Sequence, residues 1–395
     1  MGDGTTANDG AVTRRTALQW AGTAGMLAVG SVVVGACAAP ASAPLPAGLG
    51  TDPNGLYLQP GFSSRIIGRG GEQVFGIDYR IFPDGAATFP DAAVPGGWYY
   101  VVNHEIPGGG GGVTSVRFAP DGQITGCFQP LTGTSTNCAG GATPWGTWLS
   151  GEEYDGGWIW EVDPTASARP VARTALGTFS HEAAAVAQDG RVYLTEDKSN
   201  GCLYRFTPDR PADLSVGLLE VACGTSAPGT VVWRRVPDPS ATVGPTRTQV
   251  PDALQFDGGE GIDCIGNLIW FTTKGDVRVW EYDLTTQEVS IRFQGGAGQT
   301  LDAVDNLLAD SSSGALLVAE DGGNLELVVI RPDGSSEAVV RVEGQEGSEI
   351  TGPCFSPDGQ RLYFSSQRGP ATAAGLPFGV TYEVSGPWDA YLGRS

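Results

Sequence analysis

Short hydrophobic stretches alternate with turn-forming residues along most of this chain. A typical unit is a strand that ends in a polar or acidic residue, followed by a glycine-rich turn and a second, aromatic strand that runs into a Pro/Asp/Gly turn. In the strand RVYLTED, Val192 and Leu194 face one way and Tyr193 and Thr195 the other, which is typical of a strand packed between two layers. No segment has a convincing helical period, so we expect neither a helical repeat nor a doubly wound sheet.

The unit recurs six times, and its strand ends give the period. The strand-end residues are Glu105, Glu152, Glu196, Lys274, Glu320 and Gln367. They are 44 to 47 residues apart, except for one interval of 78. A period near 46 residues with four strands per unit is typical of a β-propeller blade. We therefore predict an all-β fold, a six-bladed β-propeller, and assign the long interval to an insertion at about 208–251.

Acids that recur at the same point of successive blades should gather around the propeller axis, because the inner strands converge there. Glu182, Glu260 and Glu349 form a further set, each about one strand length ahead of a strand of the repeat. Crowded carboxylates repel one another unless they are protonated or bind cations. Any one of these acids alone would more simply be a solvated turn residue, but the set in register predicts a central metal-binding channel.

The stretch from Asn137 to Tyr154 adds a different kind of ligand. It places Cys138 in a glycine-rich turn and two adjacent carboxylates, Glu152 and Glu153, at the end of a short aromatic strand. Oxygen-rich ligation indicates calcium or another hard cation, and a thiolate at Cys138 would add a transition metal such as iron. The chain has only two histidines, which argues against a zinc hydrolase.

Composition and missing motifs exclude several classes of function. The formal net charge is −21, so phosphate repulsion makes nucleic acid an unsuitable partner. Glycine (60) and proline (27) are abundant without a collagen period, as expected for many short strands joined by turns. The sequence has no G-x-S-x-G nucleophile elbow and no phosphate-cradling G-x-x-x-x-G-K-[ST] loop.

Residues 1–43 are predicted to be an export signal and not part of the fold. Arg14 and Arg15 precede a mild apolar stretch that is interrupted by glycines, a pattern typical of the twin-arginine pathway. The chain would then be either lipidated at Cys37 or cleaved after Ala43. We expect residues 44–395 to form one extracellular or cell-surface domain, a monomer that contacts a membrane only through that lipid. Of the six remaining cysteines, Cys202 and Cys223 could form a hairpin-end disulfide.

Several motifs resemble, in the same order, the PhoX family of bacterial alkaline phosphatases. They are NCAGGATPWGTWLSGEE, FSHEAAAV, VYLTED with LYRF, EGIDC with LIWFTT, LLVAEDGG and EITGPCFSPDGQRLYFSSQ, and they run from about residue 98 to 370. The resemblance implies a twin-arginine-exported six-bladed propeller whose central site holds a ferric iron pair, bridged by a cysteine thiolate, together with calcium ions.

The resemblance also implies roles for particular residues. Cys138 would be the bridging thiolate, and with Glu182 and Glu260 it would carry the catalysis. The implied metal carboxylates are Glu182, Glu260, Glu320, Asp321 and Glu349, and further candidates for the same shell are Glu152, Glu153, Glu196 and Asp197.

This sequence departs from the family in two ways. The chain is shorter than the typical family member, and it has Gly258 and Gly259 where the family motif has an arginine and a proline before Glu-Gly. The change would remove a phosphate-holding guanidinium. Lys198 and Lys274, the chain's two lysines, could substitute as point charges, and His181 lies beside Glu182 where it could contact a substrate.

The leading hypothesis is a metal-dependent phosphomonoesterase that acts on small phosphate esters. Clustered cations would bind the phosphoryl oxygens and neutralise the charge that develops on them. Two alternatives keep the propeller and change its chemistry. One is a calcium-dependent lactonase or esterase, and the other is a non-catalytic binding propeller whose metals are structural.

Overall fold

Six antiparallel sheets follow one another along the chain in a computed structural model that describes residues 48–370 and 378–394. The predicted export signal at residues 1–43, including Cys37, lies outside the described residues. Within the described ranges, no helix has the length and apolar character that crossing a membrane would require.

Each sheet is one blade, and we number the blades in chain order and give their strands from the first outward. Blade 1 consists of Pro83–Pro90, Trp98–His104, Gly111–Phe118 and Ile124–Thr134. Blade 2 consists of Asn137–Ala142, Trp148–Glu152, Ile159–Val162 and Val171–Ala172. Blade 3 consists of His181–Val186, Val192–Glu196, Leu203–Arg210, Asp213–Cys223 and Val232–Arg235.

Blade 4 consists of Gly259–Ile265, Leu268–Thr273, Arg278–Asp283, Glu288–Gln294 and the short edge strand Gly229–Thr230. Blade 5 consists of Leu307–Ala309, Leu316–Ala319, Glu326–Ile330, Ser336–Val342, Leu56–Leu58 and Gly50–Thr51. Blade 6 consists of Ile350–Phe355, Arg361–Ser366, Val380–Ser385 and Ser63–Arg69. Outside the blades lie the hairpin Gln73–Val74 with Ile77–Asp78, the helix Trp388–Leu392, and the 3-10 turns Thr174–Leu176 and Thr246–Thr248.

The first strands of the blades contact one another in a closed ring, so the fold is the predicted six-bladed β-propeller. The ring closes because the N-terminal strand Ser63–Arg69 pairs antiparallel with Val380–Ser385 and becomes the outermost strand of blade 6. Blade 6 is therefore built from both ends of the propeller domain, and separation of the two ends would break a sheet.

Hydrophobic cores lie between neighbouring blades, and strand alternation decides which core a residue enters. In the second strand of blade 3, Val192 and Leu194 pack with Leu149 of blade 2, whereas Tyr193 packs with Phe271 of blade 4. The alternation predicted for this strand is therefore confirmed. Near the axis the first strands approach closely: a Cβ on Gly141 of blade 2 would lie 1.8 Å from the Ala184 carbonyl oxygen of blade 3, so only glycine fits there.

The predicted insertion is partly regular structure. Asp213–Cys223, inside the predicted range 208–251, is the fourth strand of blade 3. The segment that follows adds the fifth strand Val232–Arg235 to that blade and Gly229–Thr230 to the edge of blade 4. Cys202 and Cys223 are buried in one core, yet the cysteines of the described residues are all free thiols, so the predicted disulfide is absent from this structure.

Removal of the closing strand tests the ring architecture. A chain that begins at residue 70 should lose the outer strand of blade 6 and both N-terminal strands of blade 5, which exposes two sheet edges. We expect it to aggregate on size-exclusion chromatography and to lose the cooperative thermal transition followed by circular dichroism. A chain that begins at residue 48 is the matched control and should melt cooperatively. Equal melting of the two chains would contradict closure by this strand.

Candidate metal centre

A β-bulge interrupts the pairing of the first two strands in most blades, close to where the first strand begins. The register shifts lie between Pro83 and Ala86, Asn137 and Gly140, His181 and Ala184, and Gly259 and Ile262. In blade 5, Ala319 makes the corresponding irregular pair, because its carbonyl accepts from Asp305 N at 2.8 Å and its N–H donates to Asn306 O at 2.9 Å. A bulge leaves an extra residue unpaired and re-aims its side chain.

The residue at the start of each bulge is one that can bind a metal. These bulge residues are Asp84, Cys138, Glu182, Glu260 and Asp305 in blades 1 to 5. In blade 6 the shift comes later, between Thr351 and Cys354, and Thr351 donates its hydroxyl to Pro83 O at 3.0 Å. Five of the six blades therefore direct a carboxylate or a thiol toward the axis, and the sixth closes the ring through a hydroxyl.

A second ring of polar residues follows the second strand of each blade. The backbone N–H of this residue donates to the carbonyl just before the first strand in blades 1, 2, 3, 4 and 6. By this register the equivalent residues are Glu105, Glu153, Asp197, Lys274, Asp321 and Gln367. The predicted equivalents Glu152, Glu196 and Glu320 lie one residue earlier, and a shift by one residue places a side chain on the opposite face.

Three acids hold the turn that follows their own strand, and we call them the outward carboxylates. They are Glu152, Glu196 and Glu320. Each accepts a hydrogen bond from the backbone N–H six residues later, at distances of 3.3 Å from Trp158, 3.2 Å from Cys202 and 2.8 Å from Glu326. Metal ligation by these three residues stays a prediction, and their contacts favour a structural role. Arg247, from the segment after blade 3, adds an ion pair to Glu196 with Nη1 2.7 Å from Oε1.

Three clusters gather at the axis in the described part of the chain, each with its ligand atoms within 4.8 Å of one another. Cluster 1 is Asp84, Glu105 and Cys138; cluster 2 is Cys138, Glu153 and Glu182; cluster 3 is Glu182, Glu260 and Asp305. Cys138 Sγ lies 3.4 Å from Asp84 Oδ2 and 3.3 Å from Glu182 Oε1. A single thiol thus belongs to two clusters, and Glu182 links the second cluster to the third.

Electrostatics at this site favours a bound cation. Burial raises the pKa of the Cys138 thiol well above its ordinary value, and the charges of Asp84 and Glu182 raise it further. Burial also raises the pKa of Asp305 well above its usual range, with a further contribution from Glu260. The buried groups therefore resist simultaneous ionisation unless positive charge lies between them. Clustered oxygen donors and one shared sulfur fit hard cations together with a transition metal.

The backbone that carries Cys138 is itself held by a buried hydrogen-bond network. Asn103 Nδ2 donates to the carbonyls of Cys138 at 3.1 Å and Ala139 at 2.8 Å. Asn103 Oδ1 accepts from Trp148 Nε1 at 2.8 Å and from Ser150 Oγ at 2.9 Å. The aromatic strand of the NCAGGATPWGTWLSGEE motif therefore fixes the bulge that presents the thiol.

The remaining predicted site residues lie in different environments. Asp197 and Glu260 both contact Lys274 Nζ, at 2.5 Å and 2.6 Å. Glu349 Oε2 lies 2.8 Å from Arg368 Nη1. Asp321 is near enough to Asp305 to raise the pKa of that carboxyl.

Lys198 is partly exposed, whereas His181 is buried. Lys198 keeps a third of its side chain exposed, with Nζ 3.7 Å from Asp155 Oδ1. His181 is fully buried, with its ring centroid 3.7 Å from that of Phe179 in a tilted arrangement, and it contacts the Gly177 carbonyl through Nε2 at 3.1 Å. Burial lowers the pKa of His181 to about 3, so the ring is neutral.

Sequence reasoning missed Asp84, Asp305, Asn103 and Arg368. Asp84 lies in a Phe-Pro-Asp-Gly stretch that has the composition of a turn, so its place in a bulged strand gave no distinctive pattern. Arg368 directly follows the strand-end Gln367, which donates to Glu105 Oε2 at 2.8 Å. The sequence signal that could have identified Arg368 as a site residue was its position next to a predicted strand end.

A cavity of about 740 Å³ lies farther along the same first strands, away from the clusters. Small residues such as Ala86, Gly140 and Ala184 line it, together with Asp263 and Arg394. The cavity is therefore a separate feature from the clusters around Cys138.

Comparison with known proteins supports the family resemblance and the fold. The family model described as "Alkaline phosphatase PhoX" matches residues 101–156 and 154–261. The structure of Pseudomonas fluorescens PhoX in complex with vanadate, a transition state analogue, superposes with a TM-score of 0.70 at 18% identity, covering 87% of this chain and 97% of that one. The resemblance to the PhoX family is confirmed, and so is the propeller fold.

A second solved structure is more distant. A Bacteroides thetaiotaomicron structural genomics protein of unknown function matches with a TM-score of 0.51 at 10% identity, covering 82% of this chain and 76% of that one. Comparison with curated proteins gives no match.

Substitution of an outward carboxylate separates a structural role from a ligand role. Glu320 accepts from the backbone N–H groups of Asp302 and Glu326, both at 2.8 Å. Glu320→Ala leaves both donors without this partner, and we expect it to lower the free energy of unfolding by about 2 kcal/mol or more. Urea unfolding measures that loss, and elemental analysis should find unchanged metal content. The exposed Glu288→Ala is the control, and metal loss at unchanged stability would instead make Glu320 a ligand.

Proposed function

We propose that this protein is a metal-dependent phosphatase that hydrolyses phosphate monoesters outside the cytoplasm. The family match supports a phosphatase. The observation that carries the finer proposal is the pair of clusters that share the Cys138 thiol, because a shared sulfur between two carboxylate sets suits two neighbouring metal ions. A structural relative described in complex with vanadate, a transition state analogue, is consistent with phosphoryl chemistry.

The residues of the three clusters fit the proposed metals. Clusters 1 and 2 would each hold one ion of an iron pair through Cys138, and cluster 3, which contains carboxylates alone, would hold calcium. Bound metals would polarise the phosphoryl group and stabilise the negative charge that develops during its transfer.

The burial of the cluster residues and the net charge of the chain determine the electrostatic environment of the proposed reaction. Cys138, Glu182 and Asp305 are almost completely buried, so electrostatic contacts at the centre are less screened by water than contacts at the surface. The chain carries a net charge of −21, so an anionic ester approaches only where bound cations reverse the local field. Metal-free protein should therefore be inactive.

Arg368 is the best candidate for the guanidinium that holds the phosphate. Its side chain is 16% exposed, with Nη1 2.8 Å from Glu349 Oε2 and Nη2 3.9 Å from Glu105 Oε2 of cluster 1. A planar guanidinium can bind two phosphate oxygens at once. Among the groups predicted from the sequence, Lys198 is the more accessible secondary candidate. Lys274 Nζ is held within 2.6 Å of two carboxylates, a closer pair of contacts than those of Arg368, and His181 is buried against Phe179.

The predicted partners follow from this proposal. The substrate would be a small phosphate ester, and nucleic acid is not expected because of the acidic charge. We propose a monomer that is exported by the twin-arginine pathway and contacts a membrane only through a lipid at Cys37.

Loss of the shared thiol tests the metal centre and the activity together. Cys138→Ala should lose bound iron, the visible charge-transfer absorption and at least about 100-fold in activity toward a chromogenic aryl phosphate. Cys127→Ala, which removes a buried thiol from the core between blades 1 and 6, is the matched control and should retain all three. Chelation with EDTA should abolish activity, and restored metal should return it.

Three results would contradict the proposal. They are activity that survives chelation, full turnover by a folded Cys138→Ala, and a protein that contains calcium alone and cleaves lactones in place of phosphate esters. The last outcome would favour the lactonase alternative.

Arg368 can be tested by its effect on substrate binding. Hydrogen bonds to charged groups contribute about 1.5–3 kcal/mol, so Arg368→Ala should lower kcat/KM by about 10- to 100-fold. The loss should appear mainly as a higher KM. Arg368→Lys should restore part of the lost kcat/KM, because lysine keeps the positive charge but lacks the planar pair of donors. Arg278→Ala, an arginine paired with Asp276 on blade 4, is the control. An unchanged KM in Arg368→Ala would rule out this role.

A further inference from the structure

Clusters 1 and 2 follow a single geometric pattern. Each lies at the seam between two neighbouring blades and takes three groups: the bulge residue of one blade, the residue after its second strand, and the bulge residue of the next blade. At the seam of blades 1 and 2 these are Asp84, Glu105 and Cys138. Applied to the seam of blades 3 and 4, which we call the third seam, the pattern gives Glu182, Asp197 and Glu260.

An ammonium group occupies the third seam. Lys274 Nζ lies 2.5 Å from Asp197 Oδ2 and 2.6 Å from Glu260 Oε1. Lys274 is the residue after the second strand of blade 4, a position at which blades 1, 2, 3 and 5 have an acid. The side chains of Glu260 and Asp197 are only 1% and 11% exposed, so this contact belongs to the buried centre and not to the protein surface.

The path of the lysine side chain depends on Gly258. The backbone of Gly258 has φ of +71°, and a Cβ there would lie 2.8 Å from Lys274 Cγ. A larger residue would displace the aliphatic stem that carries the ammonium to the seam.

We propose that the Lys274 ammonium replaces a divalent cation at the third seam, so that this chain has a permanent internal cation where its ligand pattern would otherwise bind a metal ion. The inference rests on the metal centre proposed above and does not depend on the phosphatase reaction. Under this proposal, the metals next to Cys138 would lie at the seams on either side of blade 2, in clusters 1 and 2.

The charges of the seam support this assignment. Two carboxylates in contact with one ammonium leave little of its charge for an anionic substrate. An ammonium donates hydrogen bonds in any direction but has no empty coordination position, so it can balance the acids without binding a phosphate oxygen as a metal does. Removal of the ammonium should leave Glu182, Asp197 and Glu260 as an oxygen-only site suited to calcium.

Metal content of Lys274→Met tests the proposal, because methionine keeps most of the stem and removes the charge. After equilibration with calcium and desalting, the variant should contain about one divalent cation more per chain than wild type by inductively coupled plasma mass spectrometry. Its melting temperature should also rise with added calcium by more than that of wild type, since a ligand that binds only the folded state stabilises it. Lys198→Met, at the chain's other lysine, should match wild type in both measurements.

The double variant Lys274→Met/Asp197→Asn identifies the ligands, because it should fold and lose the additional ion. Three results would overturn the proposal: a folded Lys274→Met with wild-type metal content, an additional ion that persists in the double variant, or a Lys274→Met protein that folds neither with nor without calcium. Wild type that contains no metal would instead refute the metal centre itself, so the two failures are distinguishable.

Discussion

Mutual repulsion among buried acids at the propeller axis is the constraint on which the rest of this structure depends. Asp84, Glu182, Glu260 and Asp305 come from four different blades, and each is almost completely buried. Such groups cannot all carry charge in a low dielectric unless cations lie between them. The fold holds them together because each first strand is anchored by its own sheet and by the closely packed strand of the next blade.

At the end of the second strand of a blade, two adjacent residues have different roles, one structural and one in the central clusters. In blade 2, Glu152 accepts backbone N–H groups and holds a turn, whereas Glu153 enters cluster 2. In blade 3, Glu196 and Asp197 are related in the same way. Because successive residues of a strand point in opposite directions, a pair of acids can build the scaffold with one side chain and supply a ligand with the other.

The centre is not symmetric although the blades are. Blade 2 contributes a thiol, blade 4 contributes an ammonium through Lys274, and blade 6 contributes the hydroxyl of Thr351. Sulfur is the softest of these groups, and the seams on either side of Cys138 are therefore the ones suited to a transition metal. A propeller repeat thus supplies equivalent positions, and single substitutions within the repeat change the group that each blade presents at the centre.

The sequence by itself determined the all-β repeat, the six blades and the approach of Cys138, Glu182 and Glu260 to a common axis, because strand alternation and a period near 46 residues are local properties. It could not decide between Glu152 and Glu153, since one residue of register reverses the direction of a side chain and the bulges that set the register leave no clear pattern. Only the tertiary structure brought Asp84 and Asp305 into the centre and Lys274 against Asp197. These residues meet through contacts between blades, which depend on how separate sheets pack and not on the residues next to them in the chain.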